Sequence, residues 1–281
     1  MNLDVRTLSF VAAINALILF LWLLSIFTSR KRYPGTTGWI ASAFFLFAAM
    51  AAISFRGILH DALTVVLGNT CFIASFVLVD LGLRRFAGDR PAFILYVAAT
   101  SLIAVSFVYF TFFEPQVAIR IAIISCSISF LCVRLAWYTH SRIRRIVMEK
   151  TTLLVAVFAL LGLWDLTRAV LTLLYEPAIN DFMKSGIIQS TTVITFNAAS
   201  ILMYAGLVTI HAQRLENELK TLEGFLPICA SCKKIRDDRG YWKQVEEYIE
   251  HHTDATMTHT ICPDCVQKLY PNIDDKKTDS P

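Results

Sequence analysis

Seven apolar stretches, each followed by a short polar break, run along the first 210 positions of the chain. Because a helix needs about 20 apolar residues to cross a bilayer core, each stretch is long enough for one span. Charged residues make up 17% of the sequence, whereas soluble domains carry about 25%. The pattern predicts an all-α membrane protein, a seven-transmembrane-helix bundle in contact with the lipid bilayer. The predicted spans are 8–28, 38–57, 62–83, 91–113, 117–137, 151–175 and 186–210.

The charged residues divide the chain into two parts. Residues 1–211 contain 16 Lys and Arg and 9 Asp and Glu, whereas 212–281 contain 10 and 13. We therefore expect a lipid-embedded part followed by a soluble tail. The net charge of +4 comes from short basic loops and does not indicate a nucleic-acid partner. The predicted domains are a membrane domain at 1–210, a coupling helix at 211–226, a cysteine module at 227–272 and a flexible tail at 273–281.

Positive charge alternates between the loops. Arginines and lysines occupy 30–32, 84–90 and 142–150, whereas the loops 58–61 and 114–116 have none and 176–185 has Lys184 alone. Loops rich in Lys and Arg remain in the cytoplasm. We therefore expect a multi-pass protein of the cytoplasmic (inner) membrane, with its N-terminus outside and its C-terminus in the cytoplasm.

Three arginines fall in the outer third of three predicted spans, at Arg56, Arg120 and Arg168. Asp165 precedes Arg168 by three residues, so the two share a helix face and can neutralise each other. If the arginines converge with Asp165 close by, the four residues form a pocket of net positive charge for an acidic ligand. If their side chains extend to the lipid headgroups, Arg56 and Arg120 have no ligand to hold. Both interpretations remain open on the sequence.

Other polar residues in the spans are expected to join helices. Asn15, Asn69 and Asn197 are predicted to form helix–helix hydrogen bonds. Asp80 lies four residues before Arg84, a spacing that favours an interfacial ion pair.

Several motifs around the first three spans resemble a known sensor region. The motifs are Tyr33-Pro34-Gly35 before Trp39, Phe55-Arg56-Gly57-Ile58-Leu59 before Leu67-Gly68-Asn69, and Gly82-Leu83-Arg84-Arg85-Phe86-Ala87-Gly88. Their order resembles the seven-helix sensor region found ahead of GGDEF domains in bacterial diguanylate cyclases, over roughly residues 1–215. The resemblance implies signal input. No GGDEF stretch follows these spans in the sequence, so it does not extend to cyclase activity.

The segment 211–226 is predicted to continue the last span as a helix. Its leucines recur at spacings of four, three and four, which is one side of a short heptad seam. We expect a short parallel coiled coil that forms a homodimer and transmits motion. The alternative is an amphipathic helix lying on the tail or the membrane. The leucines are Leu215, Leu219, Leu222 and Leu226.

Two C-x-x-C pairs form the strongest local signal. Four thiolates complete the tetrahedral shell that Zn²⁺ prefers, so we predict a structural zinc ion with no open catalytic position. A redox dithiol is the alternative. His259, three residues before the third cysteine, is expected to lie outside the metal shell. The predicted ligands are Cys229, Cys232, Cys262 and Cys265.

The residues between the two pairs predict a compact unit. The turn 237–240 favours a hairpin, and 242–252 is expected to be helical, with Trp242, Val245 and Ile249 on one face. These residues and Leu269 would form its small core. The result is a small α+β zinc-ribbon or treble-clef-like cytoplasmic module.

The cysteine segment also resembles a known module. It reads Leu226-Pro227-Ile228-Cys229-Ala230-Ser231-Cys232-Lys233-Lys234-Ile235-Arg236, then Gly240-Tyr241-Trp242, Ile261-Cys262-Pro263-Asp264-Cys265 and Leu269-Tyr270-Pro271. Over about 219–272 it resembles a C-terminal cysteine module that recurs behind PAS, GAF and receiver domains in bacterial signalling proteins. The resemblance implies a signalling context and a cytoplasmic signalling partner, without implying a reaction.

The sequence contains no phosphate-binding Gly loop, nucleophile elbow, kinase or cyclase signature, or H-E-x-x-H motif. We therefore predict no enzymatic activity. The favoured function is a signal-transduction sensor or adaptor that passes a membrane or extracytoplasmic signal to the cysteine module. The alternatives are a small-solute transporter or intramembrane enzyme with a structural zinc tail, or a thiol redox sensor.

The alternating loops predict the result of a topology experiment. A phosphatase that is active only outside the cytoplasm should be active when fused after Gln116. It should be silent when fused after Arg145 or at the C-terminus, because those positions are expected to lie inside. Phosphatase activity at the C-terminus would contradict the span count or the orientation.

Overall fold

The computed structural model describes residues 4–29, 32–147, 151–175, 182–184, 187–223, 227–237, 240–252 and 256–271. The chain divides into two units, Met1–Glu218 and Leu219–Pro281.

The described part of the chain contains seven helices that are long and apolar enough to cross a membrane. This confirms the prediction of a multi-pass membrane protein in contact with lipid. α5 continues past its predicted end at 137. α7 continues past 210 to Glu223, as predicted for the helix in 211–226. The helices are α1 Val5–Ser29, α2 Thr36–Ser54, α3 Ala62–Phe86, α4 Phe93–Phe113, α5 Val117–Val147, α6 Thr152–Tyr175 and α7 Ile187–Glu223.

The start of α1 is capped by Asp4. Its Oδ2 accepts hydrogen bonds from the Thr7 amide at 3.1 Å and from the Thr7 hydroxyl at 2.6 Å. A carboxylate at this position satisfies amide groups that have no partner within the helix. The same hydrogen bonds hold the pKa of Asp4 below its usual value.

Three stretches of the spans are wound as π-helix. They are the start of α3 at Ala62–Leu67, the end of α4 at Tyr109–Phe113, and Thr139–Ile143 within α5. Single π-helical turns are rare and frequently occur at functional sites. The first two contribute residues to the arginine site described below.

α7 makes side-chain contacts with four other helices of the first unit. Its contact with α1 confirms the predicted helix–helix hydrogen bond for Asn15 and Asn197, which are both half-buried. Asn69 differs from the prediction: its amide donates to the Val65 carbonyl in its own helix at 2.6 Å, a local bond that competes with partners on other helices. The contacts are Asn15–Asn197 (Nδ2–Oδ1 2.6 Å), Ser42–Tyr204 (Oγ–OH 3.0 Å), Phe72–Phe196 (ring centroids 4.8 Å) and Trp164–Thr192 (Nε1–Oγ1 3.2 Å).

The start of α2 packs directly against the end of α3. Gly35 has a φ of 98°, and a Cβ at this residue would overlap the Gly82 carbonyl. A Cβ on Gly82 would lie 2.5 Å from the indole of Trp39, which is fully buried. The glycines of these two motifs therefore allow a close helix approach that no larger residue permits.

Aromatic rings surround Arg214 of α7. Its guanidinium lies 4.4 Å from the centroid of the Tyr33 ring and 4.9 Å from that of Phe86, and its Nη1 donates to the Phe86 carbonyl at 2.5 Å. The His211 ring lies 5.0 Å from that of Tyr33. Burial, together with a hydrogen bond to Glu218, raises the pKa of Tyr33 to about 12. We call Arg214, His211, Tyr33 and Phe86 the Arg214 cluster. It holds the extension of α7 against the start of α2 and the end of α3.

The second unit contains a hairpin and two short helices. β1 Ile235–Arg236 pairs antiparallel with β2 Trp242–Lys243, as the predicted hairpin requires. α8 Val245–His252 and α9 Pro263–Leu269 follow. The predicted helix start at 242 was wrong, because Trp242 and Lys243 pair with β1. Asp238 and Arg239 of the predicted turn lie outside the described residues.

The second unit has little apolar core. Among its described residues, Ile235 is the one buried hydrophobic side chain. Trp242 is 50% exposed and Leu269 is 65% exposed, so their predicted place in a core was wrong. Trp242 lies in a strand and does not share the helix face of Val245 and Ile249. A unit with so little buried apolar surface rarely folds without a cross-link or a metal.

The close approach of α2 and α3 predicts the effect of one methyl group. Gly82→Ala should lower the free energy of unfolding by roughly 1–3 kcal/mol, because the new Cβ overlaps Trp39. Thermal unfolding of the purified full chain measures this loss. Gly88→Asn is the control, because its Cβ meets nothing within 4 Å and Asn tolerates a positive φ. Equal losses in the two variants would contradict the packing argument.

Candidate functional site

One cavity of the first unit is lined by three arginines. Arg56 follows α2, Arg120 belongs to α5 and Arg168 belongs to α6. The cavity has a volume of about 70 Å³, which is enough for several water molecules or a small anion. We call it the arginine cavity. Its apolar wall includes Val65, Phe72, Phe107, Ile124 and Phe196.

Arg168 is the most deeply placed of the three, with 6% of its surface exposed. Its Nε and Nη2 donate to Oε1 of Gln189 at 3.0 and 2.7 Å. Gln189 belongs to α7 and donates in turn to the Thr172 hydroxyl at 3.3 Å. Asp165 Oδ1 lies 3.8 Å from Arg168 Nη1, longer than the roughly 2.7–2.9 Å of a charge-assisted hydrogen bond. Gln189 therefore orients the guanidinium, and Asp165 contributes charge at longer range.

The other two arginines also have neutral groups among their partners. Arg120 Nη1 donates to the Thr111 hydroxyl, in the π-helical end of α4, at 3.1 Å. The Arg56 guanidinium lies 4.9 Å from the centroid of the Phe182 ring.

The structure brings Arg56, Arg120 and Arg168 to one site. The residues that it describes on the cavity wall include no carboxylate, since Asp165 does not line the cavity. Guanidinium groups bind carboxylate and phosphate through paired N–H donors, and this attraction is strengthened where water is scarce. The arrangement is therefore suited to a small anion.

A second cluster of polar side chains lies on α3, α4 and α5, toward the ends of these helices that are farther from the arginine cavity. Asp80 is completely buried, with its carboxylate 3.2 Å from Arg84 Nε and 2.9 Å from Arg134 Nη2. The Tyr96 hydroxyl donates to Asp80 and contacts Arg134. We call these four residues the Asp80 network. It neutralises one of its two arginine charges.

The ion pair of Asp80 with Arg84 is present as the sequence predicted. Sequence reasoning missed Arg134 and Tyr96 in this network, as it missed Gln189 beside Arg168. One signal was available: Arg134 is a lone charge in an apolar stretch, which requires a partner inside the bundle. The identity of that partner depends on the packing of α3, α4 and α5.

The first C-x-x-C pair lies in a tight turn. The Cys229 amide donates to the Lys234 carbonyl at 2.8 Å, and the Lys233 amide donates to the Cys229 carbonyl at 3.0 Å. Backbone amides of Cys232 and Ser231 donate to the Cys229 sulfur and lower its pKa. In the second pair, the amide of Cys265 does the same for the pKa of Cys262.

Each pair has the amide donors that a thiolate ligand needs, and so fits half of a four-cysteine zinc site. Within the described ranges, no three His, Cys, Asp or Glu side chains come close enough together to hold a metal ion. The complete zinc site therefore stays a prediction. His259 is exposed.

No family model, curated protein or solved structure matches this chain.

The Asp80 network predicts a large effect of one substitution. Asp80→Asn should lower the free energy of unfolding by about 3–5 kcal/mol, because it leaves two arginines without their shared counter-charge. Unfolding of the full chain in detergent measures this loss. Asp89→Asn is the matched control. Asp89 is 35% exposed and 3.7 Å from Arg142, and Asn keeps an oxygen that can accept the hydrogen bond from the Tyr138 hydroxyl, so its loss should stay below about 1 kcal/mol. A loss for Asp80→Asn as small as that of the control would show that Asp80 is not the counter-charge.

Proposed function

We propose that this protein is a membrane signal-transduction protein, a sensor that binds a small anion with a carboxylate or phosphate group in the arginine cavity. The observation that carries the proposal is the convergence of Arg56, Arg120 and Arg168 on one cavity. Each charge costs free energy in an apolar surrounding. An anion that accepts hydrogen bonds from all three would reduce that cost.

The loop charges support an extracytoplasmic site. The cavity arginines lie near the α2–α3, α4–α5 and α6–α7 connections, whereas the basic loops follow α1, α3 and α5. With the basic loops inside, the arginine cavity opens toward the outer side. The ligand then comes from outside the cytoplasm.

α7 is suited to carry the signal. It lines the cavity through Thr192, Val193 and Phe196, and it continues as one helix to Glu223. An anion that draws Arg168 toward itself also changes the hydrogen bonds from Arg168 to Gln189, on the first turn of α7. A shift of one helix against its neighbours by 1–2 Å is a typical switching motion. The Arg214 cluster is where such a shift of α7 would reach the start of α2 and the end of α3.

In this proposal the tail is the output module. A structural zinc ion held by Cys229, Cys232, Cys262 and Cys265 would cross-link its two halves and supply the stability that its small core lacks. Exposed apolar side chains, including Tyr241, Trp242 and Tyr270, support a role in binding a cytoplasmic signalling protein. The half-exposed Leu219 is available for the proposed homodimer.

Anion binding tests the proposed function. Full-length protein in lipid nanodiscs should bind at least one of inorganic phosphate, succinate and citrate in a calorimetric titration. Arg168→Gln and Arg120→Gln should each weaken that binding by about 10- to 100-fold, because a hydrogen bond to a charged group contributes about 1.5–3 kcal/mol. Arg145→Gln is the control, since Arg145 is exposed and outside the cavity. Affinities that do not differ between wild type and Arg168→Gln would contradict the site.

Metal content tests the output module separately. Purified full-length protein should contain one zinc ion per chain by elemental analysis. Cys229→Ser or Cys265→Ser should remove it and expose the tail to proteolysis, whereas His259→Ala and Cys126→Ser should retain it. A metal-free chain whose tail resists proteolysis would overturn the structural-zinc proposal, and cysteines paired as disulfides would favour the redox alternative.

A further inference from the structure

A second, larger cavity lies between α3, α4 and α5. Its volume is about 570 Å³, within the range of sites that hold organic ligands of about 300–1,000 Å³. Three arginines line one part of it: Arg84, Arg90 and Arg134. The rest is mostly apolar and includes Ile73, Val77, Leu95, Ala99, Ile103 and Phe130. We call this cavity the α4 groove.

The groove exists because α4 packs loosely. In its most apolar window, 11% of α4 is buried, against 28% or more for each of the other spans. Tyr96 and Phe107 are its buried residues at 93–108, whereas Leu95 and Leu102 are 67% and 69% exposed. In a bilayer these exposed side chains face lipid, so a ligand of the groove can enter from the bilayer.

The length of the groove matches one leaflet. Ile73 and Arg84 both line it and lie eleven positions apart on α3, a rise of about 16 Å. The hydrocarbon core of a bilayer is about 30 Å thick. The apolar wall therefore extends from mid-bilayer to the level where lipid phosphates lie, and the arginines stand at that level.

The charge at this end of the groove is positive. Arg84 and Arg134 share the single carboxylate of Asp80, so one positive charge of the Asp80 network remains. Arg90 adds a second. Arg90 is exposed in the α3–α4 connection and has no hydrogen bond or ion pair to the residues that the structure describes. Two uncompensated positive charges at the level of the headgroups favour an anionic headgroup over a zwitterionic one.

We propose that the α4 groove binds one anionic phospholipid, with its phosphate against Arg90 and Arg134 and one acyl chain along the apolar wall of α3, α4 and α5. A free phosphate ion would bind the arginines but would make no contact with the apolar wall. A zwitterionic lipid would cover the apolar wall but would not neutralise the excess positive charge. An anionic phospholipid satisfies both parts of the groove.

Native mass spectrometry of the full chain in detergent tests this site with three probes. Phosphatidylglycerol is expected to remain bound as one molecule per chain. Phosphatidylcholine with the same acyl chains and water-soluble glycerol 3-phosphate are expected to bind at least ten-fold more weakly. Equal retention of phosphatidylcholine would overturn the charge argument. Equal binding of glycerol 3-phosphate would overturn the assignment of a lipid.

Two pairs of variants test the contributions of Arg90 and of the apolar wall separately. Arg90→Gln should weaken phosphatidylglycerol binding about five-fold, since one arginine near an anionic surface contributes about 1 kcal/mol. Arg85→Gln is its control, because Arg85 is an exposed neighbour outside the groove. Ala99→Trp should block the groove and abolish retention, whereas Ala98→Trp, one exposed position away and outside the lining, should not. Retention in Ala99→Trp equal to that in Ala98→Trp would overturn the proposal.

Discussion

Arginine side chains inside apolar spans constrain the whole first unit. A guanidinium keeps its charge at any accessible pH, so each one in the bundle needs a partner that lowers the cost of removing it from water. Asp80 of α3 does this for Arg134 of α5, with Tyr96 of α4 completing the group. Gln189 of α7 does it for Arg168 of α6. These partners come from different helices, so satisfying the arginines also fixes which helices are neighbours.

The features that sequence predicted are local ones. Span positions follow from the length of apolar runs, and the pair of Asp80 with Arg84 follows from helical spacing. Arg134, Tyr96 and Gln189 were missed because their roles depend on which helices meet. Trp242 was placed on a helix because its spacing to Val245 and Ile249 fits one, but pairing with β1 takes precedence. The convergence of the cavity arginines was one of two open interpretations, since helical spacing does not determine distances between helices.

The two arginine sites differ in what they leave for a ligand. In the Asp80 network a buried carboxylate neutralises part of the charge, and the remaining positive charge faces a lipid-sized groove. In the arginine cavity the described wall has three arginines and no carboxylate, around a volume of about 70 Å³. The Asp80 network and its groove suit a constant component of the bilayer. The arginine cavity suits a small ligand whose concentration changes. α7 lines the arginine cavity and continues beyond the predicted span. In the proposed function it is therefore the element through which binding would act on the tail.

The most direct test of this account is amide hydrogen exchange along α7 of the full-length protein, with and without the anion that binds most tightly. A ligand changes a conformation only to the extent that it binds one state better than the other. The account predicts that exchange across 211–223 changes several-fold on binding in the wild-type chain and stays unchanged in Arg168→Gln. A change confined to the segments that line the arginine cavity, with 211–223 unaffected, would contradict transmission along α7.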